Sequence, residues 1–417
     1  MTTYADMNEA VRAHYRRLME LPEPWCVDSV TMDPKSREVT VVLSFPPDTP
    51  VACPTCGKEC SVYDHRKRRR RHPAQMAYRT IVECDVPRCD CPEHGKHLIE
   101  VPWAEPRGRF TLEFEAFALM VLSNSDNLTQ AARILDVSWD TVQKLQERAV
   151  SRGMRRRKEE TVAHVGLDEK SFLSRHRYAT VMTDIDGSRV LEVVRGRDGQ
   201  AAHEALEALS ATQREGVVAV AADFLDAYAT AATDLLPNAE LVHDKFHVTA
   251  YLTKAVDLVR RKEHRELTRA GDDALKGTKY LWLSNRDNWR PEQKQTFRQL
   301  RSSTLKVGRA FAIKEAFRHF WDYIYEGSAE KFYKRWRFWA THSRLAPVKA
   351  VAATFHRHKE GLFAYLRHRI TNAFNESANA SIQNIKSSAR GFRNFQNFRN
   401  AILFQCGGLQ MDPHKNP

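Results

Sequence analysis

The sequence has no run of about 18 consecutive apolar residues, the length that a membrane-spanning helix needs, so we expect no membrane association. Its first residues, MTTYADMNEAVRAHYRR, lack the apolar stretch of a secretory signal, and we expect a cytoplasmic protein. Disulfides are rare in that compartment. These absences argue against the membrane-protein class and against the secreted class that disulfides stabilise.

Acidic residues are fewer than basic ones. The 52 Asp and Glu residues stand against 65 Lys and Arg residues, giving a formal net charge of +13 and an isoelectric point near 9.4. A basic balance of this size favours a polyanionic partner, and nucleic acid is the usual one. Hydrophobic residues make up 42% and charged residues 28%, which is typical of globular domains. The chain length suits about two to four such domains.

Most of the eight cysteines lie between Cys53 and Cys91, and in a reducing compartment such a cluster predicts a metal site. Two thiolates separated by two residues form a knuckle, and a second such pair completes a tetrahedral zinc site. Four protein ligands leave no open coordination position, so this zinc would be structural. The predicted ligands are Cys53, Cys56, Cys91 and His94; Cys60, Cys84, Cys89 and His97 are alternatives for the second pair.

Between the two pairs lies the basic run HRKRRRRH, residues 65–72. Consecutive basic side chains can contact DNA phosphates without reading bases. The alternatives are a solvated charge run or one face of a hairpin. Because the run is tethered to a zinc module, we predict DNA contacts from Arg66, Lys67, Arg68, Arg69, Arg70 and Arg71.

The segment NLTQAARILDVSWDTVQKLQERAV has helix-turn-helix spacing. It predicts one helix over about 128–135, a short DVS turn, and a second helix over about 138–150. Ser138 is the expected N-cap of the second helix, whose N-terminal side would enter the major groove. Other helical hairpins can imitate this pattern. The residues expected to face DNA are Trp139, Asp140, Gln143 and Lys144.

The segment over 161–250 alternates strands and helices. Its order, three strands, a helix, a strand, a helix and a strand, is that of a ribonuclease H-like mixed sheet with helices on its faces. Asp168 and Asp223 interrupt apolar strands, where a charge is costly unless it is paired or used, and both are predicted at one rim of the sheet. Carboxylates suit Mg²⁺, and two ions can clamp the attacking and leaving oxygens of a phosphodiester.

Two carboxylates do not suffice for two ions, so a third acid is expected. The stretch over 371–404, TNAFNESANASIQNIKSSARGFRNFQNFRNAILF, carries one acid, Glu376, ahead of basic and aromatic residues. Glu376 is the predicted third ligand, and Asp244 is the main alternative to Asp223. The residues predicted to neutralise phosphates beside the site are Lys386, Arg390 and Arg393.

The chain is therefore predicted to be a multidomain α+β protein with a split catalytic core. Aromatic residues recur periodically in the helical region before Glu376, which predicts a core; they include Trp282, Trp289, Trp321, Trp336 and Trp339. The predicted parts are 1–105, an N-terminal strand region and zinc-binding domain; 106–160, a helix-turn-helix and basic linker; 161–250, the first part of the ribonuclease H-like core; 251–370, an all-helical insertion; 371–410, the final helical part of the core; and 411–417, a tail.

These segments resemble the bacterial insertion-sequence transposases of the ISL-three family over nearly the full length. The resemblance rests on CPTCG, RCDCPEHGKHLIEVPWAEP, FTLEFE, VGLDEKSF, LVHDKFHV with the following AVDLVRR, and TNAFNESANASIQNIKSSARGFRNFQNFR. It implies that Asp168, Asp223 and Glu376 form a catalytic triad binding two magnesium or manganese ions. It also implies that the zinc-binding domain and the helix-turn-helix recognise the terminal inverted repeats of the element.

The implied function is a DNA transposase that cleaves the element ends and joins their 3′-hydroxyls to target DNA by two-metal phosphoryl transfer. It would act on double-stranded DNA at the bacterial nucleoid, as a homodimer or higher oligomer, because two DNA ends must be held together. The alternatives are a DNA-binding regulator, a transposase copy without catalysis, and a ribonuclease H-like nuclease without strand transfer.

Overall fold

The structure is a computed structural model that describes residues 4–106, 108–173, 177–243, 245–301, 305–370 and 373–414. Within these ranges, the side chains of residues 4–7, 301, 373, 375 and 376 are outside the description. The chain divides into two compact units, Met1–Arg157 with Leu409–Pro417, and Lys158–Gly408. Across the described ranges, every helix is too short or too polar to cross a membrane.

The first unit packs helices around one mixed sheet. Its elements are α1 (Tyr4–Leu18), β1 (Cys26–Asp33), β2 (Glu38–Ser44), β3 (Val51–Ala52), β4 (Glu59–Gln75), β5 (Tyr78–Cys91), β6 (Gly95–Leu98), α2 (Leu112–Ser123), α3 (Leu128–Leu135) and α4 (Trp139–Arg155). The strand order is β1-β2-β5-β4-β3, with β6 paired to β5. Val39, Val41 and Leu43 alternate with less buried neighbours along β2, as in a sheet with one face on a core.

The C-terminal residues return to this first unit. Arg152 of α4 donates a hydrogen bond from Nη1 to the carbonyl oxygen of Met411 at 3.0 Å. The sequence predicts a basic linker around Arg152 and a tail from residue 411, whereas the structure buries Arg152 within α4 and packs the tail against it. Ion pairs of Arg152 with Glu105 and Glu115 explain this burial, because a buried guanidinium needs charged partners.

The second unit begins with a five-stranded sheet of order β11-β10-β7-β8-β9. Its first elements are β7 (His164–Leu173), β8 (Arg177–Asp184), β9 (Arg189–Arg195), α5 (Gly199–Glu207), α6 (Ala211–Gly216), β10 (Ala219–Ala222), α7 (Asp226–Leu235) and β11 (Glu240–His243). Strand β7 pairs antiparallel with β8 and parallel with β10, and β10 pairs parallel with β11. The predicted order of strands and helices is present, with the short helix α6 added.

Helices make up the rest of this unit. They are α8 (Lys245–Arg269), α9 (Lys279–Leu283), α10 (Pro291–Arg301), α11 (Lys306–Phe317), α12 (Glu326–Thr341), α13 (Ala346–Arg357), α14 (Lys359–His368), α15 (Ala373–Ser388) and α16 (Phe395–Cys406), with 3₁₀ turns at Arg286–Asn288 and Arg318–Asp322. Ala219, Ala221 and Val242 of the sheet share one hydrophobic core with these helices. The helical region, which the sequence predicts as an all-helical insertion, packs directly on one face of the sheet.

The tryptophans of this helical region are mostly part of that core, as their spacing predicts. Trp282, Trp289, Trp321 and Trp336 are at most 4% exposed. Trp339 is the exception, with 40% of its surface exposed.

Candidate functional site

The four predicted zinc ligands meet in the first unit. Cys53 and Cys56 lie in the turn between β3 and β4, and Cys91 and His94 lie at the turn between β5 and β6. Their ligand atoms all lie within 4.8 Å of one another. The distance from Sγ of Cys56 to Sγ of Cys91 is 3.8 Å, and from Sγ of Cys91 to Nδ1 of His94 it is 3.6 Å. Zinc bonds of about 2.3 Å to sulfur and about 2.0 Å to nitrogen give tetrahedral edges of about these lengths, so the group can hold zinc.

Backbone geometry builds the first knuckle of this group. The N–H of Gly57 donates to the carbonyl oxygen of Cys53 at 2.8 Å. The N–H of Cys53 donates to the carbonyl oxygen of Lys58 at 2.9 Å. Gly57 has a φ of +71°, a left-handed conformation that favours glycine. The hydrogen bond from His94 lowers the pKa of the Cys91 thiol to about 6, which favours the thiolate that metals bind.

The alternative zinc ligands are not part of this group of four. Cys84 lies in the apolar core of the sheet, where burial raises its pKa to about 12. Cys60 and Cys89 are buried beside the ligand group without joining it, and burial raises the pKa of Cys60 to about 11. The ring of His97 lies against the carbonyl oxygen of His94 at 2.6 Å.

Helices α3 and α4 form the predicted hairpin. Asn127 caps α3 by accepting from the N–H of Gln130 at 3.0 Å, and Ser138 caps α4 by accepting from the N–H of Thr141 at 3.3 Å. The N-cap at Ser138 is confirmed. At the start of α4, Trp139, Asp140 and Lys144 are exposed, whereas Gln143 is half-buried and has an intramolecular partner.

The basic run is one strand of the hairpin β4–β5, which was the alternative interpretation. The side chains of Arg66, Lys67 and Arg68 are exposed. Lys67 pairs with Glu83, and Arg69 pairs with Glu38 at 2.8 Å and with Glu83 at 3.1 Å. Part of the positive charge of the run is thus matched within the protein.

Arg70 and Arg71 require a correction to the predicted DNA contacts. Arg70 is 7% exposed, and it lies opposite Val82 in the hairpin. The side chain of Arg71 is 15% exposed, and its Nη1 donates to the carbonyl oxygen of Asp136 at 2.5 Å. Arg71 therefore holds the turn between α3 and α4, and neither residue offers an open side chain to phosphates.

Asp168 lies in β7, and Asp223 directly follows the parallel strand β10. Leu167 of β7 pairs in register with Ala222 of β10, so each aspartate occupies the next position. Leu167 and Ala222 belong to the core that α5 and α7 cover, and alternation along β7 directs Asp168 to the opposite face of the sheet. Their side chains remain accessible, at 14% for Asp168 and 29% for Asp223.

The two carboxylates are held in the same way. Oδ1 of Asp168 accepts the N–H of Glu169, and Oδ1 of Asp223 accepts the N–H of Phe224, both at 2.7 Å. The Oδ2 atoms face polar groups from other elements. Nδ2 of Asn379 in α15 donates to Oδ2 of Asp168, and Nδ1 of His247 in α8 lies 3.7 Å from Oδ2 of Asp223.

Other charges line this rim. Nζ of Lys170 lies 3.8 Å from Oδ2 of Asp168, and Lys386 of α15 donates to the carbonyl oxygen of Ser171 at 2.7 Å. Burial, together with the nearby charges of Glu169 and Asp168, raises the pKa of Tyr228 to about 12. Helix α15 is thus fixed along β7 by contacts at two positions.

Glu376 lies in α15, and its side chain is outside the described residues, as is the whole of Asp244. Arg390 and Arg393 follow α15 and are exposed. Arg399, in the same stretch, forms a bidentate ion pair with Glu192 of β9 at 2.6 Å.

The phenylalanines of this stretch pack α16 onto the sheet. Phe398 is fully buried, and its ring lies 5.2 Å from that of Phe172 in β7. Phe395 lies 5.5 Å from the same ring. These two phenylalanines therefore pack the helix onto the sheet.

The sequence interpretation missed Asn379 and His247. Asn379 could have been found from helix spacing, since it follows Glu376 by three residues, and His247 follows Asp244 by three residues in the sequence. A polar residue one helical turn after a candidate metal ligand is well placed to orient a neighbouring carboxylate.

Comparisons with known proteins agree with these features. The model of the ISL3 transposase family, described as "Transposase", matches residues 165–402, and that of the "Helix-turn-helix domain of transposase family ISL3" matches residues 99–150. The chain is 27% identical over 371 residues to the transposase for insertion sequence element IS1557 of Mycobacterium tuberculosis, covering 82% of this chain and 83% of the relative. It is 28% identical over 391 residues to the transposase for insertion sequence element IS1001 of Bordetella parapertussis, covering 92% and 96%.

Proposed function

The chain belongs to the ISL3 family of insertion-sequence transposases, and we propose that it cleaves the ends of its element and joins the freed 3′-hydroxyls to target DNA. The register that pairs Leu167 with Ala222, the residues directly before Asp168 and Asp223, carries this proposal. The strand order β9-β8-β7-β10-β11 supports a ribonuclease H-like core. Helix α15, which carries Glu376, contacts Asp168 through Asn379.

In this proposal, Asp168, Asp223 and Glu376 hold two magnesium or manganese ions. Bound ions of this kind lower the pKa of water and stabilise the attacking and leaving oxygens of a phosphodiester. The backbone N–H groups of Glu169 and Phe224 orient the two aspartates through their Oδ1 atoms. The residues that would neutralise phosphates beside the site are Lys386, Arg390 and Arg393.

The first unit supplies recognition. The helix-turn-helix would bind the terminal inverted repeats through Trp139, Gln143 and Lys144, with Arg66, Lys67 and Arg68 on the phosphates. A structural zinc at Cys53, Cys56, Cys91 and His94 would hold the end of the sheet. A homodimer or higher oligomer would bring the two element ends together.

The test is an assay with labelled terminal-repeat DNA and a supercoiled target plasmid, with and without Mg²⁺. We expect Mg²⁺-dependent cleavage at the repeat end, followed by labelled products joined to the plasmid. Cleaved ends without joined products would indicate a nuclease. Repeat binding without cleavage would indicate a regulator or an inactive copy, and either result would contradict the proposal.

A further inference from the structure

Helix α12 exposes two large aromatic side chains next to each other. Phe338 is 65% exposed and Trp339 is 40% exposed, whereas Tyr333 and Trp336 of the same helix are buried in the core. Exposed aromatics cost free energy in water unless a partner covers them. Two of them at adjacent positions therefore indicate a binding surface.

The aromatic pair lies within a cationic segment. The sequence over 331–344, KFYKRWRFWATHSR, contains no acid, and its basic residues include Lys331, Lys334 and Arg335, all exposed. Positions 331, 335, 338, 339 and 342 recur at helical spacing, so they form one stripe along α12. We call these five positions the α12 stripe. His342 stacks on Phe338, with ring centroids 4.0 Å apart and an interplanar angle of 28°, which limits the motion of the Phe338 ring.

The charge of the α12 stripe argues against a second copy of the chain as the partner. Copies that meet through a two-fold axis present the same patch to each other. Lys331 and Arg335 would then face one another with no acid in the stripe to compensate.

The positive charge of the α12 stripe suits a polyanion such as DNA. Its aromatic side chains indicate whether that DNA is duplex or unpaired. In duplex DNA the base faces are stacked on one another, and cations alone suffice for contact with the phosphates. In an unpaired strand the base faces are open, and proteins bind them by stacking on aromatic side chains beside cations. Contact with the phosphates of a duplex does not require Phe338 and Trp339, whereas stacking on the exposed bases of an unpaired strand does.

We infer that the α12 stripe binds an unpaired DNA strand, with bases against Phe338 and Trp339 and phosphates near Lys331 and Arg335. The inference rests on the proposed function only for the origin of the strand, which would be DNA opened or cut at an element end. The contact itself requires no catalysis.

Binding of the full-length zinc-loaded protein to labelled oligo(dT) of about 20 nucleotides, without Mg²⁺, tests this inference. Loss of base stacking should weaken oligo(dT) binding by the double variant F338A/W339A about tenfold or more. Binding to terminal-repeat duplex should stay unchanged, and W339F should keep oligo(dT) binding. The matched control is Y325A, because Tyr325 is 77% exposed at the other end of α12, where the charged residues of 326–330 are Glu326 and Glu330.

Unchanged oligo(dT) binding by F338A/W339A would overturn the inference. An equal loss of oligo(dT) and duplex binding would also overturn it, since it would indicate a general phosphate contact. Sedimentation of both proteins checks a further outcome. If the wild type self-associates and the double variant is monomeric, the α12 stripe is a contact between copies of the chain instead. Because no step in this assay requires cleavage, a catalytically inactive protein would leave its result unaffected.

Discussion

Asn379 in α15 donates a hydrogen bond to Oδ2 of Asp168 in β7, across 211 positions of the chain. The contact attaches the helix that carries Glu376 to the strand that carries the first aspartate. Because the other oxygen of Asp168 already accepts the N–H of Glu169, both oxygens of that carboxylate are oriented. Asn379 is therefore a positioning residue for the proposed metal site.

Replacing Asn379 should impair cleavage without impairing DNA binding. N379A should lower strand cleavage about 10- to 100-fold, the range typical when a group that orients a metal ligand is removed. A raised Mg²⁺ requirement should accompany the loss, which a merely structural role would not produce. N384A is the control, since Asn384 is exposed on the same helix. Equal activities of N379A and N384A would contradict the role of Asn379.

Zinc should depend on Cys56 and not on Cys60. C56S should lower the zinc content from about one ion per chain to near zero and destabilise the first unit, because the structural site contributes folding free energy. C60S should keep its zinc, since Cys60 lies next to the four ligands but is not one of them. Metal analysis of both variants checks this, with C26S as the exposed-thiol control. Zinc loss in C60S would overturn the ligand assignment.

Two neighbouring arginines of β4 should behave differently towards DNA. R68A should reduce the slope of log K against log salt for repeat binding by about 0.9, the effect of one lost phosphate contact. R70A should leave that slope unchanged and lower the stability of the first unit, because Arg70 is buried. Titrations at several salt concentrations, with denaturant unfolding, separate the two effects. A smaller slope in R70A would show that Arg70 reaches DNA.

His72 should make the first unit sensitive to acid. Burial lowers its pKa to about 4, below the unfolded value, so the fold favours neutral imidazole. The corresponding stability is fully present above the unfolded pKa of about 6.5 and is lost as the pH falls towards 4, by up to about 3 kcal/mol. Unfolding free energies at pH 7 and pH 4.5 should therefore differ less in H72Q than in the wild type. Equal pH dependence in both proteins would contradict this.

The sequence predicts those parts of the fold that depend only on residues close together in the chain. Ser138 caps α4 through the adjacent Thr141, and the Cys53–Cys56 knuckle turns at Gly57. These arrangements depend on contacts within a few residues. The identity and spacing of the residues therefore sufficed to predict them.

Contacts between distant segments escaped the sequence interpretation. Arg70 is buried whereas Arg68, two positions earlier in the same strand, is exposed, and the run of basic residues gives no sign of that difference. Gly361 of α14 packs on β11 so closely that a Cβ would lie 2.4 Å from Cδ2 of His243. This close approach joins the helical region to the sheet. Such packing depends on residues more than a hundred positions apart.

Measuring strand cleavage by the Glu376→Gln variant tests the proposed mechanism most directly. This substitution removes one negative charge and nearly preserves the shape of the side chain. The labelled terminal repeat should bind the variant as tightly as the wild type. We expect cleavage in Mg²⁺ to be abolished, since the third carboxylate ligand would be missing. Cleavage at the wild-type rate would contradict the role of Glu376 and, with it, the Asp168, Asp223 and Glu376 site.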